Sequence, residues 1–199
     1  MNEPQDTILI KRVLSGDIQK YGLLVDKYQG RIRNLAYMMI GNQHDAEDLA
    51  QEAFVRAYRA LPKFERKAKF SSWLYQITLN LCKDYLKAKS RSARSTEEEH
   101  LEAIDAGPRD LAVDDVLDME MSQKMREAVS KLPKLYREAF ILREIQAEDY
   151  EVIAEATGVS ADTVRVRAYR AREMLRELLA KDVDTFWREK AAKEKAPRN

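Results

Sequence analysis

The chain has 199 residues, of which 35 are Lys or Arg and 34 are Asp or Glu, so its formal net charge is only +1. This length leaves room for one medium domain or two small ones. The single cysteine, Cys82, excludes an intrachain disulfide and fits a reducing compartment. No signal peptide opens the chain and no run of about 18 apolar residues is present to span a bilayer, so we expect a cytoplasmic protein.

The sequence pattern in the first half of the chain predicts helices. Only six glycines and five prolines interrupt the whole sequence, and β-branched alternation is scarce, which predicts an all-α fold. A short first helix is expected around residues 7–15. Asp17 can cap a second helix that ends at Gly41, and Asp45 can cap a third that Pro62 closes.

Composition divides the chain into two small helical domains joined by a flexible acidic linker. A fourth helix is expected over residues 70–89, and the four helices together predict a first domain over 1–92. Residues 93–117 lack a sustained period and hold many acidic residues, which indicates the linker. A second domain is expected over 118–180, followed by a charged tail over 181–199.

Charge is segregated along the chain. Residues 63–94 contain nine basic and two acidic side chains, whereas residues 97–120 contain ten acidic and one basic. The basic block suits a polyanionic partner, and the acidic block suits a linker that is held away from that partner.

Residues 149–179 have the pattern of a helix-turn-helix. Ala154 lets two helices approach, Gly158 can take a positive φ at the turn, and Val164 packs the second helix onto the first. The outer faces of the second helix carry Arg165, Arg167, Tyr169, Arg170, Arg172 and Arg176. Such a helix can enter a DNA major groove, where some arginines read guanine edges and others hold phosphates. The alternative is a solvated basic helix in a bundle.

The second helix of that motif needs an N-terminal cap. Ser160 and Asp162 are both candidates, because either side chain can accept a hydrogen bond from a free backbone N–H of the first turn. The sequence leaves these two alternatives open.

The third helix carries a polar face of Glu47, Asp48, Gln51 and Glu52. Acids near a helix N-terminus complement the helix dipole, but this does not explain the whole string in which they lie. DAEDLAQEAFVRAYRAL, then F-x5-FSSWLYQITLN, then DYEVIAEATGVSADTVRVRAYRAR, resemble a bacterial sigma factor of the extracytoplasmic-function group. The resemblance covers roughly residues 8–90 and 119–179.

This resemblance implies a stress-response initiation subunit that directs RNA polymerase to promoters by reading the −35 and −10 elements and assisting melting. It implies that Asp48, Gln51 and Glu52 dock on the clamp coiled coil of the polymerase β′ subunit, with a further contact to the β flap. Promoter DNA and an anti-sigma factor, often membrane-bound in this group, are the other implied partners. We expect no small-molecule substrate and no self-association.

Motif position also implies DNA contacts at the −10 element. Phe64 and Asn80 would line a pocket for an unpaired base, while Lys83, Lys87 and Arg91 would contact phosphates. A basic surface that carries aromatic rings is independently what unpaired DNA requires. Phe64 can instead anchor its loop to the core, and Asn80 can instead hydrogen-bond locally.

In the second domain the family pattern assigns −35 base contacts to four residues of the basic helix, Arg165, Val166, Tyr169 and Arg170. Arg167 belongs to the same DNA-binding set but falls nearer the phosphates or the face turned toward the bundle.

Two non-sigma alternatives stay open, namely a helix-turn-helix regulator that does not dock on polymerase and an adaptor whose second domain binds only protein. An enzyme is not expected. A metal-dependent hydrolase is suggested by His44 and Asp45 with Glu47 and Asp48, but the only other histidine, His100, lies in the linker. We therefore predict no catalytic residue, metal or cofactor.

Overall fold

A computed structural model of the protein describes three stretches of backbone, residues 3–64, 68–95 and 123–194. Side chains are described over residues 5–64, 68–92 and 123–180. All regular structure within these stretches is helical, as the all-α prediction requires. The predicted acidic linker lies almost entirely outside the described residues, as does most of the loop that follows Phe64.

The N-terminal domain consists of four helices. They are α1 (Glu3–Leu14), α2 (Gln19–Ile40), α3 (Gln43–Ala60) and α4 (Phe70–Ser95), with a 3₁₀ turn at Leu61–Lys63. Helix α2 contacts the other three. Apolar side chains at helical spacing fill the centre, among them Leu24, Ile32, Leu35 and Leu74, each fully buried. Cys82 belongs to this core, and burial raises the pKa of its thiol to about 12.

Two predicted helix caps are wrong. Helix α2 begins after Ile18, which makes no side-chain cap bond, so Asp17 is not its cap. At α3 the cap is Asn42, whose side-chain oxygen accepts from the Asp45 backbone N–H at 2.9 Å. Asn42 has extended backbone directly before the first turn, so its side chain reaches that N–H, whereas Asp45 already lies inside the helix. The Asp45 carboxylate instead accepts from the Tyr85 hydroxyl at 2.5 Å.

The C-terminal domain also consists of four helices. They are α5 (123–131), α6 (Lys134–Phe140), α7 (Tyr150–Thr157) and α8 (Ala161–Glu194). Pro133 stands directly before α6, as its missing N–H favours. Helix α6 continues into one π-helical turn, Ile141–Ile145. The backbone of α8 stays helical to Glu194, past the predicted end of this domain at residue 180.

The two domains pack directly on each other. Helix α4 contacts α7, and α2 contacts the π-helical turn, so the buried apolar side chains form one continuous cluster. Side chains of the C-terminal domain donate hydrogen bonds across the boundary: Arg137 Nη1 donates to the Met39 carbonyl at 2.9 Å, and Gln146 Nε2 donates to the Arg31 carbonyl at 2.7 Å. The separate domains expected from the sequence therefore share an extensive interface. None of the described helices has the length and apolar character needed to cross a membrane.

Candidate nucleic-acid interface

The turn between α7 and α8 has helix-turn-helix geometry. Gly158 ends α7 with φ of 72°, and its N–H donates to the Ala154 carbonyl at 2.9 Å. A left-handed residue at this position is the usual way to end a helix sharply. Ser160 caps α8, because its Oγ accepts from the Thr163 N–H at 3.2 Å, and Asp162 lies within the first turn.

Helix α8 separates its apolar and basic faces. Val164, Ala168, Ala171 and Leu175 are buried against the domain. The four residues assigned to −35 bases are all exposed; they are Arg165, Val166, Tyr169 and Arg170. Val166 and Tyr169 are 59% and 53% exposed. Arg167 is half-buried beside them. The exposed face can therefore offer guanidinium and apolar groups together to a groove.

Two of the remaining arginines are paired inside the domain. Arg172 lies 2.7 Å from Glu144, and Arg176 lies 2.5 Å from Glu173. Both pairs are largely exposed, so each contributes little to stability.

Phe64 lies in an aromatic cluster at the start of the loop before α4. Its ring centroid is 4.7 Å from that of Trp73 and 6.0 Å from that of Phe70. Phe70 is buried, and Trp73 and Phe64 are half-buried. Phe64 therefore anchors its loop to the core in this conformation. Residues 65–67, which follow it, lie outside the described residues.

The other candidates for the −10 element follow one side of α4. Asn80, Lys83, Lys87 and Arg91 recur at intervals of three or four residues, which places them on one stripe roughly 16 Å long. Asn80, Lys87 and Arg91 are exposed, and Lys83 is half-buried. A cationic stripe of this kind can follow the phosphates of one DNA strand.

Glutamates of the C-terminal domain face this region. Glu138 Oε1 lies 3.1 Å from Lys83 Nζ, and Glu155 Oε2 accepts from the Lys69 backbone N–H at 3.3 Å. In the conformation described, acidic groups from α6 and α7 therefore occupy part of the basic face of the N-terminal domain.

A third glutamate, Glu148, joins the two domains. Its Oε1 accepts from the Tyr75 hydroxyl and from Arg31 Nη1, both at 2.6 Å. Burial, together with the neighbouring Glu148 carboxylate, raises the pKa of Tyr75. A hydrogen bond to Tyr75, aided by Glu148, raises the pKa of Arg31. Tyr75 thus stays neutral and Arg31 stays charged at neutral pH.

A groove of about 680 Å³ runs between α2 and α3. Its lining comprises Val25, Asp26, Gln29, Gly30, Arg33, Glu47, Ala50, Gln51 and Phe54. Among the predicted docking residues, Gln51 lines the groove. Asp48 is exposed on the same helix, 3.4 Å from His44, and Glu52 pairs with Arg56 at 2.7 Å.

Sequence patterns did not identify the residues that α2 contributes to this groove. Asp26, Gln29 and Arg33 lie at intervals of three and four residues on α2, which is a detectable polar stripe. Its signal is weak, because an exposed helix face normally carries such residues. Within the described part of the chain, no group of three or more His, Cys, Asp or Glu residues is arranged to hold a metal ion.

Two conserved-domain families match this chain. The sigma-70 region 2 family matches residues 24–92, which cover α2 to α4, and the sigma-70 region 4 family matches residues 122–175, which include the helix-turn-helix. The fold and the two family matches therefore define a sigma factor of the sigma-70 class.

Whole-chain relatives define the group more narrowly. The chain is 36% identical over 182 residues to the ECF RNA polymerase sigma factor SigW of Bacillus subtilis, covering 85% of this chain and 94% of the relative. It is 35% identical over 176 residues to the ECF RNA polymerase sigma-E factor of Escherichia coli K12, covering 85% of this chain and 92% of that relative. The chain belongs to the extracytoplasmic-function group of RNA polymerase sigma factors.

Solved structures agree on the fold. A sigma factor RpoE bound to the anti-sigma factor NepR from Bartonella quintana superposes with a TM-score of 0.69 at 24% identity, covering 81% of this chain and 98% of that one. CnrH in complex with the cytosolic domain of CnrY superposes with a TM-score of 0.67 at 24% identity, covering 88% of this chain and 97% of that one.

Family membership settles the class of function. The protein is a transcription initiation factor that recognises promoters together with RNA polymerase. Membership of this family removes the two alternatives left open by the sequence, a regulator without polymerase docking and a protein-only adaptor.

Proposed function

We propose that this chain binds core RNA polymerase through the groove between α2 and α3. Gln51 contributes to the groove lining, and Asp48 and Glu52 stand on the same helix. Acidic and amide groups beside an open groove suit a partner helix with basic residues, which lays its side chains into the groove. The partner segment proposed is the clamp coiled coil of the β′ subunit.

The basic side of α4 is the proposed −10 surface. Lys83, Lys87 and Arg91 would follow the strand backbone, and Asn80 would hydrogen-bond an unpaired base. Phe64 would contribute to the pocket for that base once its loop engages DNA. Support comes from the exposure of Asn80, Lys87 and Arg91 along one stripe and from the general need of single strands for cations beside aromatic groups.

The exposed face of α8 is the proposed −35 surface. Arg165 and Arg170 would read base edges, Val166 and Tyr169 would contact apolar base groups, and Arg167 would approach a phosphate. Support comes from the exposure of the first four side chains on the second helix of a helix-turn-helix, the element that enters the major groove in such motifs.

The proposed domain plan is residues 1–92 for region 2, 93–117 for the linker and 118–180 for region 4, with a charged tail over 181–199. The β flap of polymerase is a further proposed contact. We also propose an anti-sigma factor as a protein partner, since the solved neighbours RpoE and CnrH are complexes with NepR and CnrY. The protein would act in the cytoplasm with polymerase, which supplies all catalytic chemistry.

The observation that carries the proposal is the pairing of a region 2 match on α2–α4 with a groove that contains Gln51. Its test is binding of the full chain to core polymerase, measured by a labelled-protein titration. The double change Asp48→Ala with Gln51→Ala should abolish binding. A control with the same two residue types, Gln76→Ala with Asp84→Ala at exposed positions of α4, should bind normally. Equal binding by all three proteins would refute the proposed docking site.

A further inference from the structure

Tyr150 touches a residue proposed to read the −35 element, although it lies outside the recognition helix. It is the first residue of α7. The guanidinium of Arg165 lies over its ring, with 5.2 Å between Arg165 Cζ and the ring centroid. This contact joins the first helix of the helix-turn-helix to the exposed face of the second.

The ring is itself fixed in place. A second guanidinium, that of Arg143, lies over it at 4.4 Å, and Arg143 Nη1 donates to the Glu148 carbonyl at 2.8 Å. Tyr150 is half-buried at the junction of the π-helical turn and α7. Arg143 therefore ties the ring to the backbone of its own domain, and the ring cannot move freely with Arg165.

An exposed arginine normally samples many rotamers, and ordering it on binding costs conformational entropy. The side chain of Arg165 is 51% exposed and also pairs with Asp162, one turn earlier on α8. A ring that lies over a guanidinium leaves its N–H edge to other partners, and here Asp162 accepts from Nη1 of that edge, an exposed contact that a base edge would replace. That edge is the part of arginine that pairs with guanine in the major groove.

We propose that Tyr150 is a positioning residue for −35 recognition: its ring holds the Arg165 guanidinium in the orientation that reads a base edge. This inference rests on the proposed role of Arg165 at the −35 element. The role belongs to the ring, because the contact is made through it and the tyrosine hydroxyl is not needed for that contact.

Four variants of the full chain, each bound to core polymerase, distinguish this role from a structural or phosphate-contacting one; the fourth is Arg165→Ala alone. Each selects fragments from a pool of promoter DNA randomised over the −35 region, and sequencing of the retained fragments gives the base preference. Tyr150→Leu should lower the preference at the position read by Arg165 about two- to fivefold. Tyr150→Phe should keep it. Tyr150→Leu combined with Arg165→Ala should lower the base preference no further than Arg165→Ala alone, because the two changes remove the same interaction.

The alternative outcomes are distinct. Equal loss of affinity for every fragment with Tyr150→Leu, or loss with Tyr150→Phe as well, would overturn the positioning role in favour of a structural or phosphate-contacting one. Additive losses in the double variant would also overturn it. If Arg165→Ala itself leaves the base preference unchanged, the proposed −35 role of Arg165 fails and the Tyr150 inference falls with it; if Arg165→Ala alters the preference and Tyr150→Leu does not, only the inference fails.

Discussion

The Glu138 carboxylate on α6 lies 3.1 Å from the Lys83 ammonium on α4, and this pair joins the two domains. Glu138 is 1% exposed, whereas the Lys83 side chain is 27% exposed. The carboxylate is therefore desolvated and depends on its partner, while the ammonium keeps contact with water. The buried carboxylate therefore competes with a DNA phosphate for this ammonium.

We expect measurable coupling between these two residues. In urea unfolding of the wild type, Glu138→Gln, Lys83→Met and the double variant, the coupling free energy should be about 1 kcal/mol, at the lower end for contacting groups because Lys83 is partly solvated. Glu138→Gln should also raise the affinity of the free chain for single-stranded DNA, since it releases Lys83. Lys87→Met, on the same stripe but exposed, is the control and should show no coupling with Glu138→Gln. Coupling indistinguishable from zero would mean that the pair does not hold the domains together.

The α2–α3 groove offers a steric test with a matched control. Gly30 lines the groove, and a Cβ added there would meet nothing within 4 Å. Gly22, on the same helix, also has open space around it but does not line the groove. Gly30→Tyr should fill the groove and weaken binding to core polymerase at least tenfold, whereas Gly22→Tyr should leave binding within about twofold, a change of less than 0.5 kcal/mol. Similar affinities for both variants, measured by titration, would place the docking surface elsewhere.

The backbone conformation of Gly158 predicts that a side chain at this position destabilises the C-terminal domain. Its φ of 72° lies in the left-handed region, where a side chain costs about 1–2 kcal/mol. Gly158→Ala should lower the free energy of unfolding by that amount. Gly22→Ala, inside α2, should instead raise it by up to about 1 kcal/mol, because alanine favours a helix interior. Urea denaturation followed by circular dichroism would measure both, and a neutral Gly158→Ala would contradict the turn geometry.

Arg170 is expected to read a base and not a phosphate. Arg170→Ala should cost about 1–3 kcal/mol on the preferred −35 sequence and much less on others, so selectivity falls. A phosphate contact would behave differently, because its loss weakens binding to all sequences and lowers the salt slope by about one unit. Holoenzyme binding to matched and scrambled −35 duplexes at several salt concentrations distinguishes the two roles.

The helices could be predicted from sequence because their apolar residues recur at helical spacing. The stripe on α8 that contains Val164, Ala168 and Leu175 is buried as expected, and the positive φ of Gly158 agrees with its place between two such stripes. Periodicity reports which face of a helix is buried and says little about its ends. The predicted caps Asp17 and Asp45 failed for that reason: several polar residues precede each helix, and backbone conformation decides which one caps it.

The domain interface could not be predicted. Glu138 falls within an amphipathic helix and Glu148 within a polar turn, so neither shows from sequence that it faces the other domain. The π-helical turn at Ile141–Ile145 adds to the difficulty, since it shifts the register of the residues that follow. The groove side of α2 was missed because exposed polar residues mark any helix surface. Contacts between distant segments depend on tertiary packing, which local pattern does not encode.

A single chain is proposed both to dock on core polymerase and to select a promoter, and run-off transcription measures the two properties together. The template would be a promoter that the complex of core polymerase and the wild-type chain selects from a randomised pool. Purified core polymerase and full-length protein would then transcribe it. We expect one discrete transcript with the wild-type chain and none without it. The control variant Gln76→Ala, Asp84→Ala should give the same transcript, and the variant Asp48→Ala, Gln51→Ala should give none. Absence of a specific transcript from active core polymerase, or undiminished transcription by the Asp48→Ala, Gln51→Ala variant, would contradict this proposal.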